Sequence, residues 1–285
     1  MQSTFGVEIR LLLEADIPAA MRLKEAARWN QTEDDWRRLL RLEPNGCFGA
    51  IKDGRLVGTT TTTIHGGLAW IGMVLVEPQH RRQGIAAKLM DVALDYLKDK
   101  VDTIKLDATS LGQPVYEKLG FQVESVVERW SGVGQSTSGE TQPAAVMDRD
   151  TVRELLNLDR VAFKADRSRL IETLTDAACV SPVLMRAADD TLSGYALARS
   201  GTSRTYVGPV IAKDPEVAET LLDRMFSELA GREVYVDLNK QCSAGASLLS
   251  DRGFVKERDL MRMVRGRESE KTSPLIVAIA GPEVG

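Results

Sequence analysis

The chain is poor in the residues that build metal sites and disulfide frameworks. Its 285 residues include three cysteines and two histidines. Cys47, Cys179 and Cys242 are scattered, odd in number and form no Cys-x-x-Cys pair, so neither a disulfide scaffold nor an ordinary zinc site is expected. Long apolar runs are also lacking. The two longest, residues 68–76 and 275–280, fall far short of the roughly 20 residues that cross a bilayer. The first ten residues show no basic stretch followed by an apolar one, so no secretory leader is read there and a cytoplasmic location is expected. Positive charge is not in excess: 37 Lys and Arg stand against 41 Asp and Glu, a net charge of −4. No overall field therefore draws the chain to nucleic acid or to a membrane surface, and the acid balance leans towards a cationic partner. Three motifs are missing as well, Gly-x-Ser-x-Gly, Gly-x-x-x-x-Gly-Lys-Ser/Thr and Gly-x-Gly-x-x-Gly, which excludes their nucleophile elbow, Walker loop and Rossmann turn.

What is present is an ordinary globular composition, 43% hydrophobic and 27% charged. Residues 131–145 (SGVGQSTSGETQPAA) are small and polar with no apolar period, the profile of a linker. They separate a first domain, residues 1–130, from a second, residues 146–285, each of ordinary domain size. In the first half, Val7 opens a short strand and Asp16 is expected to cap a helix with Pro18 in its first turn. Thr32 and Asp35 form an approximate capping box for a second helix. Asp53-Gly54 joins a hairpin whose second strand carries five consecutive threonines, residues 59–63. A continuously apolar strand follows at 68–76. A helix with an apolar stripe at Ile85, Leu89, Val92, Ala93, Tyr96 and Leu97 comes next, then strand, helix and strand to Trp130. The second half echoes this order, and YEKLGF at 116–121 corresponds to LSDRGF at 249–254. The fold class is α/β (α+β), with a whole domain repeated.

The most informative stretch is residues 76–87, VEPQHRRQGIAA, at the junction of a buried strand and an amphipathic helix. Here a helix offers free N–H groups and the positive end of its dipole to an anion. Gly84 leaves room for a bulky phosphate. Arg81, Arg82 and Lys88 add positive charge where the dipole disfavours it, which fits a bound pyrophosphate better than an unliganded helix start.

Residues 81–86 (RRQGIA) resemble the Arg/Gln-x-x-Gly-x-Gly/Ala motif of the GNAT superfamily of acyl-CoA-dependent N-acyltransferases. Residues 115–121 (VYEKLGF) are similar to that family's second motif. The resemblance covers about residues 6–130, while the second half resembles the degenerate C-terminal GNAT-like domain of bacterial tandem proteins. It implies two mixed, mostly antiparallel twisted sheets, each flanked by helices. It implies acetyl-CoA as acyl donor, no metal, and direct attack by a primary amine of a small molecule or peptide. Backbone amides of Arg82, Gln83, Gly84, Ile85, Ala86 and Ala87, with Arg81 beside them, would hold the CoA pyrophosphate. The edge at Val74, Leu75 and Val76 would pair with the pantetheine, a backbone N–H near Leu75 would hold the oxyanion, and Tyr116 would be the general acid. The strand before the cradle offers Trp70, Gly72 and Met73 but no carboxylate, so Glu77, Asp107 and His65 are substitutes for a base and none is assigned. The Trp29–Gln31 turn (Trp29, Asn30, Gln31) and Asp34, with Asp237 and Asn239 from the second half, are expected at the acceptor. The second half lacks the cradle glycine, carries Asp214 and Glu216 where phosphate would lie and has Leu249 in place of the tyrosine, so it is expected to wall the acceptor cleft without binding CoA. A longer acyl group, or a non-catalytic acyl-CoA-binding module, is the alternative. Homodimerisation is left open.

Overall fold

A computed structural model describes residues 6–136, 147–242, 245–267 and 272–285. The first half runs β1 (Val7–Leu11), α1 (Ile17–Ala26), α2 (Glu33–Leu42), β2 (Phe48–Lys52), β3 (Arg55–His65), β4 (Leu68–Val76), α3 (Ile85–Leu97), β5 (Thr103–Ala108), α4 (Gln113–Lys118) and β6 (Gln122–Val133). The second runs α5 (Arg149–Phe163), α6 (Ser168–Asp176), β7 (Val183–Arg186), β8 (Leu192–Arg199), β9 (Thr205–Ala212), α7 (Pro215–Glu228), β10 (Glu233–Asn239), α8 (Gly245–Asp251), β11 (Val255–Gly266) and β12 (Ile276–Ala278).

Local chemistry explains most of these elements. The Thr32 hydroxyl accepts from the Asp35 N–H at 3.3 Å and the Asp35 carboxylate accepts from the Thr32 N–H at 2.8 Å, completing the capping box of α2. The expected stripe of α3 is buried at Ile85, Leu89, Ala93 and Leu97. Asp16 behaves differently from expectation. Its carboxylate turns back to the Leu13 N–H and to Arg10 and caps nothing in α1, because a short 3-10 turn over Glu14–Asp16 intervenes. β6 continues through Val133, three residues into the segment expected as a linker, and residues 137–145 of that segment lie outside the described residues.

The strands do not close into two separate sheets. They form one 12-stranded sheet in the order β1-β2-β3-β4-β5-β11-β6-β10-β12-β9-β8-β7. Strand β11 of the second half lies between β5 and β6 of the first, antiparallel to both, and β6 in turn pairs with β10 of the second half. Each half thus lends its last long strand to the other. Two buried ion pairs mark the exchange. Arg262 on β11 is opposite Asp107 on β5, and Arg129 on β6 is opposite Asp237 on β10. Nε and Nη2 of Arg262 donate to the two Asp107 carboxylate oxygens at 2.9 Å each. Nε and Nη2 of Arg129 donate to those of Asp237 at 2.7 and 2.5 Å. The arrangement is a repeat in sequence: each arginine lies eight residues after the phenylalanine of a Gly-Phe turn, Phe121 or Phe254, and each aspartate is the fifth residue of its strand.

Removing one member of such a pair strands a desolvated charge. Asp237→Ala is expected to cost about 3–5 kcal/mol, read as a drop in urea midpoint, and Asp107→Ala a similar amount. A loss below 1 kcal/mol in both would mean that the exchange does not depend on these pairs.

Candidate functional site

β4 and β5 run parallel but pair only at Leu68–Trp70 against Thr103–Lys105, then separate. The cause lies in β4. Between Gly72 and Leu75 it carries one residue more than β3 carries between Thr61 and Thr59, a bulge, and Met73 there has φ 50°, in the left-handed region. The buried Thr59 hydroxyl donates to the Met73 carbonyl at 2.7 Å and holds that bulge. Gly72 has no room for a side chain, since a Cβ there would sit 2.7 Å from the Glu283 Cα. Further along, the Glu77 N–H donates to the Val57 carbonyl at 2.8 Å. Antiparallel ladders alternate, so Leu75 opposite Thr59 spends its N–H on β3, and Val74 and Val76 present theirs to the β5 side. The amides at the gap are therefore those on either side of Leu75 rather than its own.

At the end of β4 a 3-10 turn over Pro78–His80 leads into an exposed loop in which Arg82 (φ 60°) and Gly84 (φ 78°) both adopt left-handed backbone. Gly84 is the N-cap of α3 and supplies no side-chain cap. Among the described residues, the amides of Arg82, Gln83, Gly84, Ile85, Ala86 and Ala87 donate to no protein acceptor; the first to bond back is that of Lys88, to the Gly84 carbonyl at 3.1 Å. Six consecutive unspent N–H groups at a helix N-terminus make an anion cradle. The Arg81 and Arg82 side chains are exposed beside it, with Arg81 steadied by a 3.1 Å hydrogen bond to the Val76 carbonyl. Lys88 is not part of it, for its ammonium donates to the Val7 carbonyl at 2.9 Å. Gln83 takes part through its backbone, its side chain bonding to Gln79 and Lys52.

Tyr116 projects from α4 into the apolar cluster on the α3 face of β4 and β5, which also receives Val74. Its ring meets Phe121 edge-on at 6.2 Å and lies over Gly112. Its hydroxyl has no protein partner among the described residues, and burial alone pushes the phenol pKa upward, so the group stays protonated.

The opposite face of the same strands opens into a cleft of about 490 Å³. Leu68 and Trp70 of β4 and Lys105 of β5 form its floor, and the second half supplies Phe163, Arg262 and Ile276. The Arg262 guanidinium stacks over the Trp70 ring at 4.5 Å, and Lys105 pairs with Glu124 at 2.8 Å. The sequence pattern did not single out Trp70, Lys105, Phe163 or Arg262 for this cleft, because their convergence depends on the strand exchange.

The residues expected at the acceptor lie elsewhere. The Asn30 side chain is spent on the second half: Nδ2 donates to the Arg204 carbonyl at 2.8 Å and Oδ1 accepts from Ser203 and Arg204. Asp237 is bound by Arg129 and by the Tyr206 hydroxyl at 3.0 Å. Asn239 ties Ser273 and Ile276, and Asp34 pairs with Arg37 on the exposed face of α2. Trp29 packs half-buried against the core. Gln31 Nε2 donates to the buried Glu283 carboxylate at 2.9 Å, and apart from the Trp29 indole and Gln31 Oε1 every polar side-chain group of that set is bound to protein. Of the three base substitutes, Asp107 is engaged by Arg262 and Glu77 by His80 at 2.9 Å, while His65 is buried edge-on to Phe163 with no hydrogen-bond partner for its Nε2 among the described residues. In the second half β12 pairs with both β9 and β10 and fills the gap that corresponds to the one between β4 and β5.

Comparison with known proteins decides the family. An Acetyltransferase (GNAT) family model matches residues 13–121 and an Acetyltransferase (GNAT) domain model matches residues 155–275. The chain belongs to the GNAT acetyltransferases, with two GNAT domains in tandem. This GNAT chain is 26% identical over 254 residues to an uncharacterized N-acetyltransferase of Bacillus subtilis, YitH, covering 88% of each. Its fold is similar to that of a putative acetyltransferase from Pyrococcus horikoshii, with TM-score 0.84, 23% identity, and 99% and 96% of the two chains covered. A GCN5-related N-acetyltransferase from Sphaerobacter thermophilus is similar at TM-score 0.65 and 15% identity, over 93% of this chain and 97% of the other. Membership makes the chain an acyltransferase of a family that uses acetyl-CoA as donor. No helix among the described residues is long and apolar enough to cross a membrane.

Two outcomes follow from this geometry. Thr59→Val deletes the bond that fixes the bulge and is expected to cost about 1–3 kcal/mol in stability, measured by thermal unfolding, with Thr59→Ser close to wild type. Burial pulls the His65 pKa down to about 4 from its ordinary 6.5. The unfolded chain therefore takes up that proton first as pH falls. Stability is full above pH 6.5 and drops by roughly 3 kcal/mol towards pH 4. A pH series of urea midpoints should show this slope flattened in His65→Leu.

Proposed function

We propose that this protein transfers acetyl from acetyl-CoA to a primary amine by direct attack on the thioester, with the first domain (residues 1–130) holding the donor and the second (residues 146–285) walling the acceptor cleft. One observation carries the reading: six unspent amides at the start of α3 stand at the end of a strand whose neighbour has parted from it. The pyrophosphate would rest on the amides of residues 82–87 with Arg81 and Arg82 at its flank. The pantetheine amides would pair with the free edge of β4 as an added strand does.

The amine nitrogen forms a bond to the thioester carbon, and the carbonyl becomes an oxyanion that accepts from the Val74 N–H. Collapse breaks the carbon–sulfur bond. The Tyr116 hydroxyl gives its proton to the departing thiolate, and the proton lost by the nitrogen passes to water and returns to the phenolate. A phenol held protonated by its apolar setting suits the acid role. The amine must be neutral to attack, at a cost of about 1.4 kcal/mol per pH unit below an amine pKa near 10.4. Activity is therefore expected to rise with pH through the neutral range. With Asp107 and Glu77 committed to other partners and the His65 pKa pulled down to about 4 by burial, solvent in the cleft is the proton acceptor in this scheme.

Tyr116→Phe is expected to lower kcat by about 10²-fold or more and leave the acetyl-CoA Kd unchanged in calorimetry. Gly84→Glu is expected to abolish donor binding, since it places a carboxylate among the cradle amides at a left-handed position. Donor binding that survives Gly84→Glu would remove the cradle from the mechanism. Donor binding without thiol release from any amine would favour an acyl-CoA-binding module instead.

A further inference from the structure

We propose that the acceptor is a primary amine that also carries a carboxylate on an aromatic or branched apolar frame, as in an amino acid or a short peptide; this rests on the acetyl-transfer reading. The cleft is lined by Lys105, Lys164, Arg262 and Arg267 and by Asp102, with Lys105 and Arg262 held by Glu124 and Asp107. A carboxylate on the ligand finds guanidinium donors there, in Arg262 within the cleft and in Arg267 at its rim.

Arg262 supplies the anchor. It is 2% exposed, and three of its N–H groups are used, two on Asp107 and one at 3.4 Å on the Thr272 hydroxyl. Its other two N–H groups have no acceptor among the described residues, although the head group lines the cleft. A buried guanidinium with unspent donors is a ready partner for a carboxylate. Arg267 lies at the exposed rim, its backbone fixed by bonds to Asp102 and Thr103, while its side chain forms no ion pair with a carboxylate among the described residues. The Trp70 and Phe163 rings, 6.4 Å apart and tilted by 39° to each other, line the apolar side of the cleft for the remainder of the ligand.

The test is calorimetry on the full chain with CoA present, comparing two product-like probes, N-acetyl-L-phenylalanine and N-acetylphenethylamine, which differ by the carboxylate. The acid is expected to bind about tenfold or more tightly, and Arg267→Glu is expected to erase most of the difference without moving the CoA Kd. Equal binding of the two, tighter binding of the neutral probe, or binding of neither would overturn the proposal. A thiol-release assay with acetyl-CoA and a panel of aromatic and branched amino acids separates this from the underlying reading. If the acid probe binds preferentially but no amine releases thiol, the transferase reading falls while the carboxylate site stands. If thiol release is faster with phenethylamine than with phenylalanine, the transferase reading stands and the carboxylate site falls.

Discussion

The reciprocal loan of β6 and β11 is the constraint on which the rest of the molecule depends. An added strand stabilises a sheet through its ladder, but a strand inserted in the middle must also match on both faces. Here the match is fixed by two arginine–aspartate forks in equivalent positions, Arg262 with Asp107 and Arg129 with Asp237. Each fork is dry, so each arginine can satisfy its charge only when its own strand has reached the other half. That ties register to charge: a slip of one residue would turn the arginine to the opposite face and leave both ions uncompensated. The loan also brings second-half residues onto the first half's strands, which is how Arg262 comes to lie over Trp70.

The donor side and the acceptor side differ in how far the amino-acid sequence exposes them. The cradle is local. Its residues are contiguous, its glycine is required by one backbone angle, and its cations are written beside it, so the run of unspent amides at 82–87 is legible from 76–87 without knowledge of the remaining chain. The strand edge and Tyr116 come from the resemblance of residues 81–86 and 115–121 to two family motifs within one domain. Even there, finer detail depends on the ladder: Leu75 turns its amide to β3 because Glu77 bonds Val57, and Lys88 is drawn away by the first strand.

The acceptor side is not local. Asn30 and Asp237 carry the polar groups one would choose for an amine, yet both are consumed in holding the halves together. Residue type alone does not distinguish a polar group facing a ligand from one facing another part of the same protein. The cleft residues Lys105, Phe163 and Arg262 come from three distant stretches and look, in sequence, like a strand cation, a helix-end aromatic and a strand cation. The repeat of the Gly-Phe turn was the one visible sign of their meeting, since it places Arg129 and Arg262 in equivalent registers, but pairing across the halves cannot be read from equivalence within them.

The short strand β12 completes the contrast between the two domains. Ancestral copies of one fold would each possess a wedge between diverging ribbons, hungry for a partner with alternating donors and acceptors. One wedge has been given a permanent tenant from the polypeptide itself, Ile276–Ala278, and so has become masonry. Its twin between β4 and β5 stays open past Trp70, and that is the edge to which the proposed donor would add its own donors and acceptors.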